Sequence, residues 1–277
     1  MNDNVSIIVY SMNRAMQLHL FLTSIIEKTK PMPYMYIIYR TTDEAHEQSY
    51  NELLSIWAKY PIKFIKQNYI SEFRPYTLEC FDSIKTDKMF FACDDDVFIN
   101  DIDFRTCLNF NPSEYIFTLR LGTCLTKCYT RQCDQKLPLF KDEGNGILSW
   151  EWSKGDCNWN YPLSVNEFIF STKEIKEMLN NIMFTAPNPL EATMQKYFKD
   201  FVSRKGLCFN LPVALNLPVN RVQTANNNVC GHIHQDFLLS KWQEGLQIDG
   251  SKIYGIVPES AHQEIDFSFI KRGQIDG

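Results

Sequence analysis

The chain has 277 residues, of which 44% are hydrophobic and 22% are charged, and its formal net charge is −5. This length and composition are typical of one large globular domain with a sizeable core. The negative charge argues against a broad nucleic-acid interface. No apolar stretch is long enough to span a bilayer, and the first residues lack the basic and apolar regions of a signal peptide. We therefore expect a single domain over residues 1–277, a cytoplasmic location, no nucleic-acid partner and no transmembrane segment.

Strand and helix patterns alternate through the first hundred residues. Runs rich in β-branched and aromatic residues predict four strands, at 5–10, 34–39, 62–65 and 88–93. Apolar residues at helical spacing predict three helices, at 14–28, 44–60 and 73–84. This alternation predicts an α/β fold with a mostly parallel sheet flanked by helices. Ligands of such sheets bind beyond the carboxyl ends of the strands.

The pattern loosens after residue 100, which predicts a smaller mixed region. Strand-like or extended segments are expected at 115–119, 164–170 and 211–220. Helices are expected at 173–181, 188–205 and 235–242. The stretch 122–161 is rich in Cys, Trp, Gly and charge and has no clear period. It is too long for a simple connection, so it predicts a functional loop region.

Three adjacent carboxylates, Asp94, Asp95 and Asp96, follow the fourth predicted strand. Three like charges this close repel one another unless a cation lies among them. Mg²⁺ and Mn²⁺ prefer oxygen ligands and often use one or two carboxylates together with substrate phosphates. A solvated turn is the alternative interpretation. The apolar flanks and the position at a strand end favour a metal held against a phosphate-bearing ligand.

Polar residues also follow the first predicted strand, at Ser11, Asn13 and Arg14. Such groups can meet a base, a ribose or a phosphate at a helix N-terminus. Capping of the helix by Ser11 or Asn13 is an alternative that is compatible with binding. The glycine patterns of Rossmann and P-loop proteins are absent from this junction, which argues against a dinucleotide oxidoreductase and a P-loop kinase.

Two acidic residues in the second half are candidates for a general base. Asp156 lies in the segment 150–162, whose three Trp residues could stack on sugar rings or could simply pin the loop to the core. Glu191 follows Asn188 and Pro189 in the pattern of a helix start, which alone would explain it. A helix start near the ligand edge could also present a base.

Histidines and cysteines supply further candidate metal ligands. His232 and His234 alternate along one face, and His262 stands near the end of the chain; a structural or exposed role is the alternative for each. The nine cysteines predict mostly reduced thiols. A zinc site is conceivable where four of them lie close in sequence, although the spacing differs from that of common zinc modules: Cys124, Cys128, Cys133 and Cys157.

This ordered series of motifs resembles the nucleotide-sugar-dependent glycosyltransferases of the GT-A fold. It is most similar to a group of bacterial and viral-type glycosyltransferases with a DDD form of the DxD motif. The matching segments span most of the chain, at 10–18, 94–98, 119–122, 161–166, 187–191, 218–223 and 261–264.

The resemblance implies a GT-A-like sheet and transfer of a hexose or pentose from a nucleoside-diphosphate sugar, with UDP as the first expectation. It implies Mn²⁺ or Mg²⁺ as cofactor. The acceptor would be a glycan or a lipid-linked or protein-linked saccharide. Residues 1–100 would bind the donor and residues 101–277 the acceptor. The setting would be the cytoplasm of a bacterium or a virus-infected host cell, with peripheral membrane attachment as an alternative.

The resemblance also assigns roles by position. Asp96 would ligate the metal directly and Asp94 would face the ribose or sugar. His262 would be a further metal ligand, with His232 as second choice. Glu191 would be the base of an inverting reaction, although Ala192 stands where many inverting relatives have a second acid, so Asp156 is the substitute. The residues expected to contact the donor are Ser11, Asn13, Arg14, Asp94, Asp95 and Arg120.

Two other classes remain as alternatives. A phosphatase or phosphotransferase of the haloacid-dehalogenase type also uses Asp-x-Asp after a strand, but usually after the first core strand, whereas three strand candidates precede it here. A non-catalytic glycan- or nucleotide-binding relative is the other.

Overall fold

A computed structural model describes residues 4–222 and 229–273. A nine-stranded sheet forms its centre. The strands are β1 (Ser6–Met12), β2 (Tyr34–Arg40), β3 (Ile62–Lys66), β4 (Lys88–Cys93), β5 (Tyr115–Thr118), β6 (Lys141–Gly144), β7 (Ile147–Glu151), β8 (Phe168–Ser171) and β9 (Lys205–Phe209). Their order across the sheet is β6-β7-β9-β5-β8-β4-β1-β2-β3.

Helices and shorter strand pairs complete the described residues. The α-helices are α1 (Ala15–Lys28), α2 (Glu44–Trp57), α3 (Phe73–Ser83), α4 (Thr172–Asn180), α5 (Pro187–Met194), α6 (Phe198–Val202) and α7 (Gln235–Gln243). The short strand pairs are Asp96–Phe98 with Ala214–Asn216, Thr29–Lys30 with Ile102–Asp103, Lys127–Cys128 with Cys133–Asp134, and Leu246–Ile248 with Phe269–Lys271. Within the described ranges, no helix combines the length and the apolar character needed to cross a bilayer.

The first four strands form a parallel half of the sheet. Strand β1 pairs in parallel with β2 and β4, and β2 pairs in parallel with β3. In this register Tyr10 lies opposite Cys93 and Met12 lies opposite Arg40. The carboxyl ends of these strands therefore lie along the same edge, which brings the polar residues after β1 and β4 together.

The remaining five strands form a mixed half. Strand β8 runs antiparallel to both β4 and β5, and so joins the two halves into one sheet. Strand β9 is parallel to β5, whereas β7 is antiparallel to β9 and β6 to β7. The predicted fold class, an α/β sheet flanked by helices with a parallel half and a smaller mixed region, is confirmed.

Alternating side chains of the strands build a core on each face of the sheet. In β1, Ile7 and Val9 pack with apolar residues of α1, α2 and α7. Ile8 and Tyr10 point to the opposite face, where α3, α4 and α5 pack. Both faces are thus covered, which explains why β1 and β4 are continuous apolar runs rather than alternating ones.

Two parts of the second half differ from the prediction. The segment 122–161 contains the hairpin of β6 and β7, whose connecting residues Asn145 and Gly146 both have positive φ, as two-residue hairpin turns require. The predicted helix at 188–205 is also wrong as one element. Helix α5 ends at Met194, a single 3-10 turn and α6 follow, and Lys205 already begins β9.

The tryptophans of the predicted loop region are core residues. Trp150, Trp152 and Trp159 are at most 2% exposed. Their rings meet edge to face, and Trp150 Nε1 donates a hydrogen bond to the Trp159 carbonyl at 3.1 Å. Buried rings cannot stack on a sugar, so the pinning interpretation is correct and the sugar-stacking one is wrong.

Candidate active site

A cavity of about 830 Å³ opens along the carboxyl edge of the parallel strands. Residues at or just beyond the carboxyl ends of β1, β2 and β4 line one part of it, including Ser11, Arg40 and Asp95. The mixed half lines the rest, including Glu191 and Arg120. The volume lies within the range typical of ligand and cofactor pockets. Both halves of the sheet therefore contribute to one binding space.

Arg14 is the centre of a buried ion-pair network at this edge. It directly precedes α1 and is 9% exposed. Its Nη1 lies 2.9 Å from Asp94 Oδ1 and 2.9 Å from Asp95 Oδ2, and its Nε donates to Asn220 Oδ1 at 2.7 Å. One guanidinium thus binds two carboxylates and an amide. Arg14 therefore fixes the acidic run against the start of α1.

Asp94 is fully engaged by donors from the parallel half. Besides Arg14, Ser11 Oγ donates to its Oδ2 at 2.8 Å and the Met12 backbone N–H donates to the same oxygen at 3.0 Å. Burial raises the pKa of Asp94, and the charge of Arg14 opposes that rise. Ser11, Arg14 and Asp94, predicted to bind the donor, thus lie together and also bond to one another.

Asp95 and Asp96 take different positions. Asp95 lines the cavity and accepts from Asn216 Nδ2 at 2.9 Å. Burial raises its pKa to about 6, with Arg14 opposing the rise. Asp96 is 1% exposed, and amide donors bind it: the Cys93 N–H at 2.6 Å, Asn166 Nδ2 at 3.0 Å and Asn216 Nδ2 at 2.7 Å.

A candidate cation site lies between these groups. Among the described residues, Cys93, Asp95 and Asp96 form the one group of three potential ligands whose ligand atoms all lie within 4.8 Å of one another. Two carboxylates suit Mg²⁺ or Mn²⁺, and the thiol would favour the softer ion. The structure thus places Asp96, the predicted metal ligand, within a donor set that fits such an ion.

His262 and His232 lie outside this group of ligands. Arg120 Nη2 lies 3.0 Å from His262 Nδ1. Burial, with a smaller effect from Arg120, lowers the pKa of His262 well below its usual range, so the ring is neutral. His232 is exposed. The assignment of a histidine ligand stays a prediction.

Arg120 and the segment around His262 close the cavity from the mixed half. Arg120 is 5% exposed, and its Nη2 also donates to the Ala261 carbonyl at 3.3 Å. Asn216 is joined to the same segment, because its N–H donates to the Ala261 carbonyl at 3.3 Å and its carbonyl accepts from the Gln263 N–H at 3.0 Å. The segment 260–263 therefore holds two polar residues of the site in place.

Glu191 lines the cavity, but not for the reason that the sequence suggested. Helix α5 begins at Pro187 with Ala186 at its N-cap, so the predicted capping by Asn188 is wrong. Three neutral donors bind the Glu191 carboxylate instead: Tyr161 Oη at 3.0 Å, Ser164 Oγ at 3.0 Å and the Val165 N–H at 2.8 Å. This bonding aims the carboxylate without pairing it with a cation.

The remaining predicted residues have local partners. The backbone N–H of Lys136 donates to Asp156 at 3.1 Å and lowers the pKa of that carboxyl, which makes it a weaker base. Asn13 has a φ of 55° and exchanges two hydrogen bonds with Thr42, at 2.6 and 3.0 Å. Asn13 thus fastens the turn after β1 to the segment after β2.

The four-cysteine zinc site is not formed in the described part of the chain. Cys133 and Cys157 have sulfurs 3.9 Å apart, and Cys128 lies opposite Cys133 in a short strand pair. No three of the four cysteines bring their sulfurs as close together as the ligand atoms of Cys93, Asp95 and Asp96.

Sequence reasoning missed four polar residues that meet at the acidic run: Cys93, Asn166, Glu167 and Asn216. Asn166 and Asn216 are distant in sequence and come to Asp96 only through β8 and a short strand pair. Asn166 ends one of the segments on which the resemblance rests, which was a usable signal. Glu167 carried no such signal, because it stands inside an apolar strand-like run.

Comparison with known proteins finds similarity among solved structures. No protein-family model matches the chain, and no curated protein matches it. TarS 1–349 of S. aureus in complex with UDP is 14% identical with a TM-score of 0.48, over 75% of this chain and 58% of that chain. A Methanothermobacter nucleotidyl transferase is 10% identical with a TM-score of 0.41, over 76% of this chain and 89% of that one.

A mannosyltransferase from Pyrobaculum calidifontis, in complex with GDP-Man and Mn²⁺, is 10% identical with a TM-score of 0.33, over 44% of this chain and 36% of that one. The neighbours thus include a nucleotidyl transferase and a mannosyltransferase, and this chain spans little more than half of the TarS fragment. Scores below 0.5 leave the site's own residues as the basis for a function.

Proposed function

We propose that this chain is a metal-dependent glycosyltransferase that moves a sugar from a nucleoside-diphosphate sugar to an acceptor hydroxyl. One observation carries the proposal. A single cavity of about 830 Å³ is lined both by Cys93 and Asp95 of a candidate cation site and by Glu191, a carboxylate that forms no ion pair with any described residue. Transfer from a diphosphate donor needs these two features together: charge neutralisation at the leaving group and a base for the attacking hydroxyl.

The donor would bind along the parallel half. Ser11, Arg40 and Gln67 line the cavity at the carboxyl ends of β1, β2 and β3, where a nucleoside can bind. Asp95 and Asp96 would hold Mn²⁺ or Mg²⁺. The ion, when bound, neutralises charge that develops on the leaving diphosphate.

The acceptor would bind along the mixed half, where Glu191 takes the proton from its hydroxyl. Tyr161, Ser164 and the Val165 N–H orient the carboxylate, and all three are uncharged donors. Attack on the anomeric carbon from the base side, with the diphosphate leaving on the other, gives inversion. A positioned general base typically contributes roughly 10²–10⁴-fold to the rate.

The finer assignments belong to the same proposal. UDP is the proposed nucleotide, and the sugar is a hexose or a pentose. The acceptor is a glycan or a lipid-linked or protein-linked saccharide. Residues 1–100 serve the donor and residues 101–277 the acceptor, and the enzyme acts in the cytoplasm or at its membrane surface.

The bonding of Asp94 does not favour the phosphatase alternative. A nucleophilic aspartate needs a free carboxylate oxygen. Both oxygens of Asp94 are engaged, one by Arg14 and the other by Ser11 and the Met12 N–H.

Thermal unfolding with UDP, GDP, CMP and dTDP, each with and without Mn²⁺, tests the proposal. We expect one nucleoside diphosphate to stabilise the protein only when the metal is present, by roughly 2.7 kcal/mol at a hundredfold excess over Kd. Asp95→Asn should abolish the metal-dependent part. Asp101→Asn is the matched control, because Asp101 has an 82% exposed side chain. Absence of stabilisation by every nucleotide in the presence of Mn²⁺ would refute the proposal.

A further inference from the structure

Glu167 occupies a fixed position between the two halves of the sheet. Its backbone N–H donates to the Phe91 carbonyl at 2.8 Å, and its carbonyl accepts from the Leu119 N–H at 3.0 Å. The residue therefore bridges the segments of β4 and β5 just before β8 begins. Its φ of 52° is in the left-handed region, which is costly for a residue with a side chain. Its backbone is held firmly enough to sustain that conformation.

The carboxyl group of Glu167 is buried and lacks a donor. The residue is 0% exposed, and in the described part of the chain no group donates a hydrogen bond to either carboxyl oxygen. Its carboxyl lies against that of Asp96, with Asp95 and Arg120 as further charged neighbours. Buried carboxylates in proteins are normally paired or bound to a metal, because an isolated one is costly. In the described structure Glu167 therefore has neither a donor nor a cation bonded to its carboxyl oxygens, and the carboxyl of Asp96 lies beside it.

The amide donors nearby are already used by Asp96. Asn166 Nδ2 lies 3.0 and 3.1 Å from the two Asp96 oxygens, and Asn216 Nδ2 lies 2.7 Å from one of them. These bonds orient Asp96 but do not compensate the charge of a second carboxylate beside it. A cation shared by the two carboxylates would turn their repulsion into attraction.

We propose that Glu167 is a ligand of the divalent cation, which it shares with Asp96. The proposal rests on the metal dependence in the proposed function and extends it to a residue outside the acidic run. The ion would then lie between the buried Glu167 on one side and Asp95, which lines the cavity, on the other. The competing explanation is a purely structural acid that donates a permanent hydrogen bond to Asp96.

Glu167→Gln separates the two explanations. Glutamine keeps a donor for Asp96 through its Nε2, so a structural hydrogen bond survives, but it removes the anionic ligand. Binding of Mn²⁺ alone is measured from the electron paramagnetic resonance signal of the free ion. We expect at least a tenfold weaker affinity in Glu167→Gln than in the wild type. Glu177→Gln, at an exposed glutamate of α4, is the matched control and should bind like the wild type.

Thermal unfolding gives a second reading on the same variants. Without metal, Glu167→Gln should unfold at the same or a higher temperature than the wild type, because a buried like charge is gone. Added Mn²⁺ should raise the unfolding temperature of the wild type and of Glu177→Gln, but not that of Glu167→Gln. Equal Mn²⁺ affinity in Glu167→Gln and wild type would overturn the inference and leave the proposed function intact.

Failure of the wild type itself to bind Mn²⁺, with or without UDP, would instead overturn the metal dependence and the Glu167 inference with it. Wild-type crystals soaked in Mn²⁺ give a test that does not depend on folding of the variant. Anomalous scattering should place the ion within about 2.6 Å of a Glu167 oxygen. An ion bound to Asp95 and Asp96 but beyond that distance from Glu167 would refute the assignment.

Discussion

The two halves of the sheet hold their acidic side chains differently. In the parallel half, Asp94 and Asp95 share the guanidinium of Arg14, so one positive charge of the protein offsets part of their negative charge. In the mixed half, hydroxyl and amide donors bind Glu191, and no cation is among its bonded partners in the described structure. Neutral donors orient a carboxylate but leave its charge available. The comparison indicates that the parallel half supplies the fixed frame and that the mixed half supplies a group able to accept a proton.

The largest expected effect is on activity, and it concerns Glu191 in the mixed half, which neutral donors bind. Glu191→Gln keeps the size of the side chain and an oxygen for its donors but cannot accept a proton. We expect turnover in a sugar-transfer assay to fall by roughly 10²–10⁴-fold with an unfolding temperature close to that of the wild type. A loss below tenfold would show that another group is the base.

For Arg14 in the parallel half, the comparison predicts an effect on stability. Arg14→Ala leaves Asp94 and Asp95 buried without their cation, and breaking a buried pair in this way costs about 3–5 kcal/mol. Urea unfolding measures the loss. Lys127→Ala is the control, because its exposed pair with Glu259 should contribute about 0–1 kcal/mol. Similar losses in the two variants would contradict the role given to Arg14.

His19 extends the comparison to a buried base whose hydrogen-bond partners in the described structure are uncharged. It is 1% exposed, accepts from Trp57 Nε1 at 3.1 Å and lies 3.3 Å from Gln247 Oε1. Burial lowers its pKa from 6.5 to about 4. The native state therefore resists a proton that the unfolded chain accepts below pH 6.5.

Stability from His19 should be complete above pH 6.5 and should be lost as the pH falls towards 4. The expected loss is about 3 kcal/mol, at 1.36 kcal/mol per unit of pKa difference. Urea unfolding of wild type and His19→Gln across this range gives the contribution as a difference. Parallel curves for the two proteins would show that His19 does not titrate as its burial requires.

The smallest expected effect is at Asp156, the substitute base. The Lys136 N–H lowers the pKa of this carboxyl, which weakens it as a proton acceptor. Asp156→Asn should change turnover by less than about twofold, against roughly 10²–10⁴-fold for a true general base. A larger loss than that of Glu191→Gln would exchange the roles of the two residues.

Most of the parallel half could be predicted from the sequence, because its strands are apolar runs separated by amphipathic helices. The strand predicted at 88–93 coincides with β4, and the acidic run lies at the predicted edge. Strand β6 was missed because its residues are almost all polar and exposed, although the Asn145-Gly146 pair was a usable hairpin signal. The sequence pattern therefore predicts a strand or helix where the spacing of its apolar residues matches the residues that are buried.

The site was less predictable, because its contacts join residues far apart in the chain. Asp94 and Arg14 were both singled out, but their ion pair depends on the register of β1 and β4. Glu191 was chosen from a helix-start pattern, whereas its actual donors come from the segment 161–165. Glu167 has no local signature, since its importance comes from what surrounds it.

The bonds between Asn216, Arg120 and Ala261 have a consequence for how the protein is made. The strands of the parallel half are complete once residue 93 has left the ribosome, and regions near the N-terminus generally fold first during synthesis. The bonds of Arg120 and Asn216 to the segment 260–263 can form only after that segment has emerged. The nascent chain can therefore form the ion pairs of Arg14 with Asp94 and Asp95 early, but it cannot complete the candidate cavity until the segment that closes it has been translated.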